Sequence, residues 1–128
     1  MKQQVINSSK APQPVGPYSH AIKAGGFLFC SGQIPLDPAS GKIVSGGIIE
    51  QTEQVFRNII YVLEAAELDL NDIVKCGIYL ADMNSFADIN QVYAKYFKNH
   101  KPARFAVQVA RLPLDSLVEI EVTALCKA

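Results

Sequence analysis

The end of the chain alternates with a period of two, and this limits the possible folds more than any other feature. Val118, Ile120, Val122 and Ala124 fall on one side and Glu119, Glu121 and Thr123 on the other, as in a half-buried strand. Upstream, Phe105, Val107 and Val109 alternate with Arg104, Ala106, Gln108 and Ala110. This predicts a second strand with a bulky apolar core face and a small or polar face opposite. The two segments read as strands joined by a short turn. In one shared sheet, the Arg104 guanidinium and the Glu119 carboxylate would occupy one face among small residues, the layout of an anion pocket. The same pair would also serve as a surface ion pair worth roughly 0–1 kcal/mol. Spacing alone favours the surface pair, since Arg and Glu on an exposed strand face are ordinary.

Elsewhere the period changes. Between Ile48 and Ala66, Val55, Ile59 and Val62 lie near one face, Phe56, Ile60 and Leu63 widen the stripe, and Glu50 and Glu53 sit toward the N-terminal end. That is an amphipathic helix broad enough to lie across a sheet. Phe86, Ile89, Val92, Tyr93, Tyr96 and Phe97 stripe a second helix, capped by Asn84 or Ser85 and ending near His100, ahead of Pro102. Ile73 to Ala81 alternates as a strand with Val74, Cys76, Ile78 and Leu80 on its core face. Gly25-Gly26 separates two short apolar runs as a hairpin turn. Pro12, Pro14, Gly16 and Pro17 force an extended loop. The order is β-β-α-β-α-β-β, an α+β layer with two helices on one face of a mixed sheet.

The 128 residues suit a single domain, residues 1–128, burying roughly two-thirds of the surface of the unfolded chain. Twelve basic residues balance twelve acidic ones. A chain with no basic block makes nucleic acid a poor partner. No apolar run approaches the roughly 20 residues of a membrane span, so a soluble cytoplasmic protein is expected. Cys30, Cys76 and Cys126 are too widely spaced for a metal or redox motif, and Cys76 and Cys126 fall in apolar strand patterns, as buried thiols do. His20 and His100 have no carboxylate or serine at a suggestive spacing and receive no catalytic role.

Several separate motifs carry a resemblance that covers the chain: Gly16-Pro17-Tyr18-Ser19, Ser31-Gly32-Gln33-Ile34-Pro35, Gln51-Thr52, Asn58, Pro102-Ala103-Arg104, Val109-Ala110-Arg111-Leu112-Pro113 and Val118-Glu119-Ile120-Glu121. Together they resemble the RidA/YjgF/YER057c/UK114 family of reactive-intermediate deaminases. The resemblance implies a chorismate-mutase-like fold and homotrimers whose sheets pack together at the centre, with ligand clefts between subunits. It implies that Tyr18, Ser31, Gly32 and Asn90 line the cleft, that Arg104 clamps a carboxylate and that Glu119 directs a water. Two departures stand out. Relatives commonly close the first helix with Gly where this chain has Glu67, and many have Cys two positions after the motif arginine where it has Ala106.

The implied activity is hydrolysis of 2-aminoacrylate-type enamines and imines, released by pyridoxal-phosphate enzymes, to 2-oxo acids and ammonia. The chemistry needs a carboxylate clamp and a water, with no cofactor and no metal. Two alternatives stand beside it: a regulatory trimer that binds small carboxylates without turnover, for which Glu119 is dispensable, and an endoribonuclease, which the zero net charge and the lack of paired histidines oppose.

Overall fold

The computed structural model describes residues 2–127. The strands are β1 (Gln4–Ile6), β2 (Ala21–Ala24), β3 (Phe27–Cys30), β4 (Ile73–Leu80), β5 (Ala103–Gln108) and β6 (Val118–Leu125); the helices are α1 (Ile48–Ala65) and α2 (Phe86–Tyr96). The six strands form one sheet in the order β1-β2-β3-β6-β4-β5. Only β4 and β5 run parallel, because α2 between them carries the chain back to its starting end. The expected order of helices and strands holds, with β1 added at the edge.

One expectation about topology fails. β5 and β6 are not a hairpin: β4 lies between them, paired with β5 on one side and β6 on the other. Residues 109–117 therefore cross the end of β4, and Val109 donates its N–H to the Leu80 carbonyl as the crossing begins (2.9 Å).

The core side of β6 is as its alternation requires, with Val118, Ile120, Val122 and Ala124 buried. In β4, Cys76, Ile78 and Leu80 are buried but Val74 is 38 % exposed, because the register shifts between Ile73 and Lys75. The irregularity turns Val74 outward and Ile73 inward. In β5 the expected faces are exchanged. Parallel register sets Arg104 and Ala106 beside the buried Cys76 and Ile78, and Phe105 and Val107 beside Gly77 and Tyr79. Arg104 thus points to the helix side, and the Phe105 ring lies over Gly77 on the open side, where a Cβ on Gly77 would stand 2.6 Å from it. Bulk did not mark the core here, because a ring that fills the space over a glycine needs no helix above it.

Helix α1 lies on the core side with Val55, Phe56, Ile59, Val62 and Leu63 buried. Phe56 stacks on Tyr96 of α2 (4.6 Å between ring centres), and Tyr96 donates its hydroxyl to Glu53 (2.6 Å). Ser85 precedes α2 without a side-chain cap; Asp82 instead accepts from the Asn84 N–H (2.9 Å) and closes the single turn before the helix.

The end of α1 shows how Glu67 is accommodated. Leu68 donates to Leu63 and Glu67 to Glu64 (2.9 Å each), and Glu67 has φ 60°. This is a Schellman closure whose left-handed position favours glycine. The left-handed backbone costs a non-glycine residue about 1–2 kcal/mol, and glycine returns about 0.4–1 of that through the freedom of the unfolded chain. Glu67→Gly should therefore stabilise the fold by about 0.5–1 kcal/mol, seen as a higher urea midpoint at unchanged m-value and fixed protein concentration.

Candidate functional site

Two loops and one strand build the first half of the site. The loop before β2 is pinned by His20, which is buried: its Nδ1 accepts from the Ser8 N–H (2.9 Å) and its Nε2–H donates to the Pro12 carbonyl (2.8 Å). These bonds fix the neutral tautomer and give His20 a structural role. The pinned loop carries Val15 and Tyr18, and Tyr18 remains 46 % exposed. After β3, Gln33 and Ile120 exchange backbone hydrogen bonds (2.9 and 3.1 Å), which lays the Ser31-Gly32 segment along β6. Asn58, fully buried in α1, holds the next stretch by donating to the Ile34 and Leu36 carbonyls (3.3 and 3.0 Å).

The result is a cleft of about 340 Å³ lined by Val15, Tyr18, Ser31, Gly32, Pro113 and Glu119. A Cβ on Gly32 would sit 2.1 Å from Glu119 Oε2, so glycine lets the carboxylate lie against the backbone. Ser31 donates its hydroxyl to the Ser19 carbonyl (2.7 Å), which leaves its lone pairs for a ligand N–H. Pro113 begins a turn in which Leu114 and Asp115 both have φ 55°. Arg111 closes that turn by a two-pronged contact to Asp115 (2.6 and 3.0 Å).

Glu119 has a carboxyl pKa above the ordinary value, first because it is partly buried and second because the Glu121 carboxylate lies near it. Glu121 is held by the Tyr79 hydroxyl (2.6 Å), whose own pKa is pushed up to about 12 by that bond. Glu119, Glu121, Tyr79 and Gly32 also line a smaller adjoining concavity.

The second half lies elsewhere. Arg104 donates through Nη1 to Asn90 Oδ1 (2.7 Å) and lies over the rings of Tyr93 (4.7 Å) and Phe86 (5.5 Å). It lines a cleft of about 650 Å³ between the end of α2 and the start of β5. Asn90 and Tyr93 are one helical turn apart, which aims both at the arginine. Among the described residues no carboxylate pairs with Arg104.

Tyr18, Ser31, Gly32 and Glu119 therefore come together, as do Arg104 and Asn90, but the two groups stay apart. Arg104 shares the helix side of the sheet with Cys76, whereas Glu119 pairs with Tyr79 on the open side. The expectation that Arg104 and Glu119 share a face is corrected by the register of β5. Tyr93, expected in the core stripe, also faces Arg104, and Tyr79, Glu121 and Pro113, for which no role was expected, line the concavities around Glu119. Pro113 and Glu121 lie inside motifs that carry the resemblance and Tyr93 stands three after Asn90, whereas Tyr79 has no such signal. Burial pushes the Cys30 thiol up to about 12 and the Cys76 thiol up to about 11, so neither is a ready nucleophile.

The family model described as endoribonuclease L-PSP matches residues 8–126. The chain belongs to that family. A RutC family protein of Pyrococcus horikoshii is 59 % identical over 121 residues, 94 % of this chain and 96 % of that protein. The human 2-iminobutanoate/2-iminopropanoate deaminase is 45 % identical over 122 residues, 95 % of this chain and 89 % of that one. Among solved structures, Escherichia coli TdcF with bound serine superposes with a TM-score of 0.91 at 38 % identity, covering 97 % of this chain and 99 % of that one. The RidA resemblance carried by the motifs is thereby confirmed, and so is the mixed α+β fold.

The charge arrangement makes a sign prediction. Glu121→Gln removes the negative neighbour but keeps an acceptor for Tyr79, so the Glu119 pKa should fall toward the ordinary carboxylate range. Carbon-detected NMR titration of the Glu119 carboxyl reads this directly; an unmoved midpoint would assign the shift to burial alone.

Proposed function

We propose that this chain is an imine hydrolase. It would act on 2-aminoacrylate-type enamines and imines released by pyridoxal-phosphate enzymes, as a 2-iminobutanoate/2-iminopropanoate deaminase acting in the cytoplasm, in clefts shared between the copies of a homotrimer. The observation that carries the reading is the division of the site. Arg104, without a carboxylate partner on the helix side of edge strand β5, and Glu119, its pKa raised on the open face, are complementary halves that one chain does not bring together. A neighbouring copy supplies the missing half of each. The open face supports the association, since Phe29 is 50 % exposed, Leu125 50 % and Val107 41 %, an apolar surface that favours burial against another subunit.

In such a cleft the planar fork of Arg104 binds the substrate carboxylate through two parallel hydrogen bonds. The enamine tautomerises to the iminium, whose C=N carbon is already electrophilic. Water attacks that carbon as Glu119 takes its proton. The resulting carbinolamine receives a proton on nitrogen from Glu119, and as its C–N bond breaks the hydroxyl proton passes to the departing ammonia, leaving the 2-oxo acid and ammonium. Oxygen comes from water, nitrogen leaves as ammonium, and the carboxylate is regenerated. A raised pKa suits a group that must first accept and then return a proton. It also sets the pH profile: Glu119 must be ionised, so kcat/KM should fall as pH drops through a midpoint above the usual carboxylate value of about 4.3. Ala106, beside Arg104, leaves the pocket without a thiol there, and this mechanism needs none.

The direct test adds the protein to a threonine or serine dehydratase reaction and measures loss of the imine trapped by semicarbazide. Arg104→Ala and Arg104→Lys should each lose at least about one to two powers of ten in rate, since a lost charge-assisted hydrogen bond is worth about 1.5–3 kcal/mol and lysine lacks the fork. Glu119→Gln should lose about 10²–10⁴-fold while still binding a 2-oxo acid. Unchanged turnover in Glu119→Gln would leave the regulatory reading.

Light scattering should return the mass of a trimer. Mixing unfolded Arg104→Ala and Glu119→Gln subunits in equal amounts and refolding them should restore about a quarter of the wild-type sites, because a head-to-tail interface pairs the intact halves of different chains. No restored activity would mean that the halves are not shared between copies.

A further inference from the structure

The cleft that holds Arg104 contains more positive charge than a monocarboxylate uses. Lys98 and Lys101 line it together with Arg104, Asn90, Tyr93 and Phe97, and no acidic side chain does. Among the described residues neither lysine forms an ion pair; the ion-paired cations are Lys95, Arg111 and Lys127. The turn bearing them is fixed. Phe97 is buried, His100 is hydrogen-bonded through Nε2 to the Ile73 carbonyl, and Lys101 donates to the Lys98 carbonyl (3.2 Å). Tyr93, Phe97 and Pro102 give the cleft shared by Arg104 and the two lysines an apolar wall. In the single chain this cleft measures about 650 Å³ before a neighbouring copy covers part of it.

We infer that the Lys98–Lys101 rim binds a second carboxylate at the far end of the substrate side chain, so that the favoured substrates are imines of dicarboxylic amino acids. This rests on the imine-hydrolase reading. The chain of methylenes would lie along the apolar wall, the first carboxylate on Arg104 and the second at the lysines. Both lysines are exposed, so their attraction is screened by water and salt, and the preference is a matter of several-fold rather than thousands.

The test compares two imines made in place by amino-acid oxidases, 2-iminoglutarate and 2-iminobutanoate, with semicarbazide trapping as the readout. In wild-type protein at low salt, kcat/KM for the dicarboxylic imine should exceed that for the monocarboxylic one by about fivefold. That ratio should fall toward one in Lys98→Ala/Lys101→Ala, drop below one in Lys101→Glu, and shrink as salt rises. The same ratio in wild type and double variant would overturn the inference. If neither imine is hydrolysed, the imine-hydrolase reading fails by itself, and calorimetry with 2-oxoglutarate and 2-oxobutanoate still reads the rim. Tighter 2-oxoglutarate binding lost in the double variant supports a second-carboxylate site; equal binding of the two acids refutes it.

Discussion

Strand β6 is hydrogen-bonded on both edges, to β4 along one side and to β3 and Gln33 along the other, so its register is fixed twice. A slip by one residue would turn Val118, Ile120, Val122 and Ala124 out of the core and Glu119 and Glu121 into it. Burying two carboxylates under α1 would cost far more than any loop could recover. The position of Glu119 is therefore secured by the burial of Val118, Ile120, Val122 and Ala124. Gly32 completes the placement, since the strand brings the carboxylate to the loop backbone and only a residue without a Cβ leaves it room.

The loops of the first half-site are held by buried polar groups as well as by their own contacts. Asn58 donates twice to loop carbonyls and accepts from Gln54, His20 bridges Ser8 and Pro12, and Gln51 accepts from the Leu117 N–H (2.8 Å) just before β6. Each is buried, so removing one would strand its partners at about 1–3 kcal/mol. Several sequence motifs that touch no ligand thus have a physical reason. They convert irregular segments, which carry no ladder of their own, into fixed walls.

The second half-site sits on an edge strand, and its placement follows from that. β5 has β4 on one side and no strand on the other, so Arg104 stands at the rim of the sheet with α2 as its floor. The aromatic rings of Phe86 and Tyr93 lie under the guanidinium without consuming its charge, and Asn90 takes one donor of the five that arginine has. An arginine held in this way is oriented before any ligand arrives. Within one chain it does not meet Glu119, which lies on the other face of the sheet.

The sequence by itself determined what depends on near neighbours along the chain. It marked the two helices by their apolar stripes, the Gly25-Gly26 turn, the buried side of β6, the departure from Gly at Glu67 and, through its motifs, the family. It did not determine the faces of β5, the turned-out Val74, the insertion of β4 between β5 and β6, or the gathering of Tyr79, Tyr93 and Pro113 at the two clefts. A period of two says that the faces of a strand differ but not which one a helix will cover. Bulky residues such as Phe105 serve equally well over a glycine on the open side. Strand order, register and bulges are settled by pairings between residues far apart in sequence, and only the tertiary structure shows which pairings won.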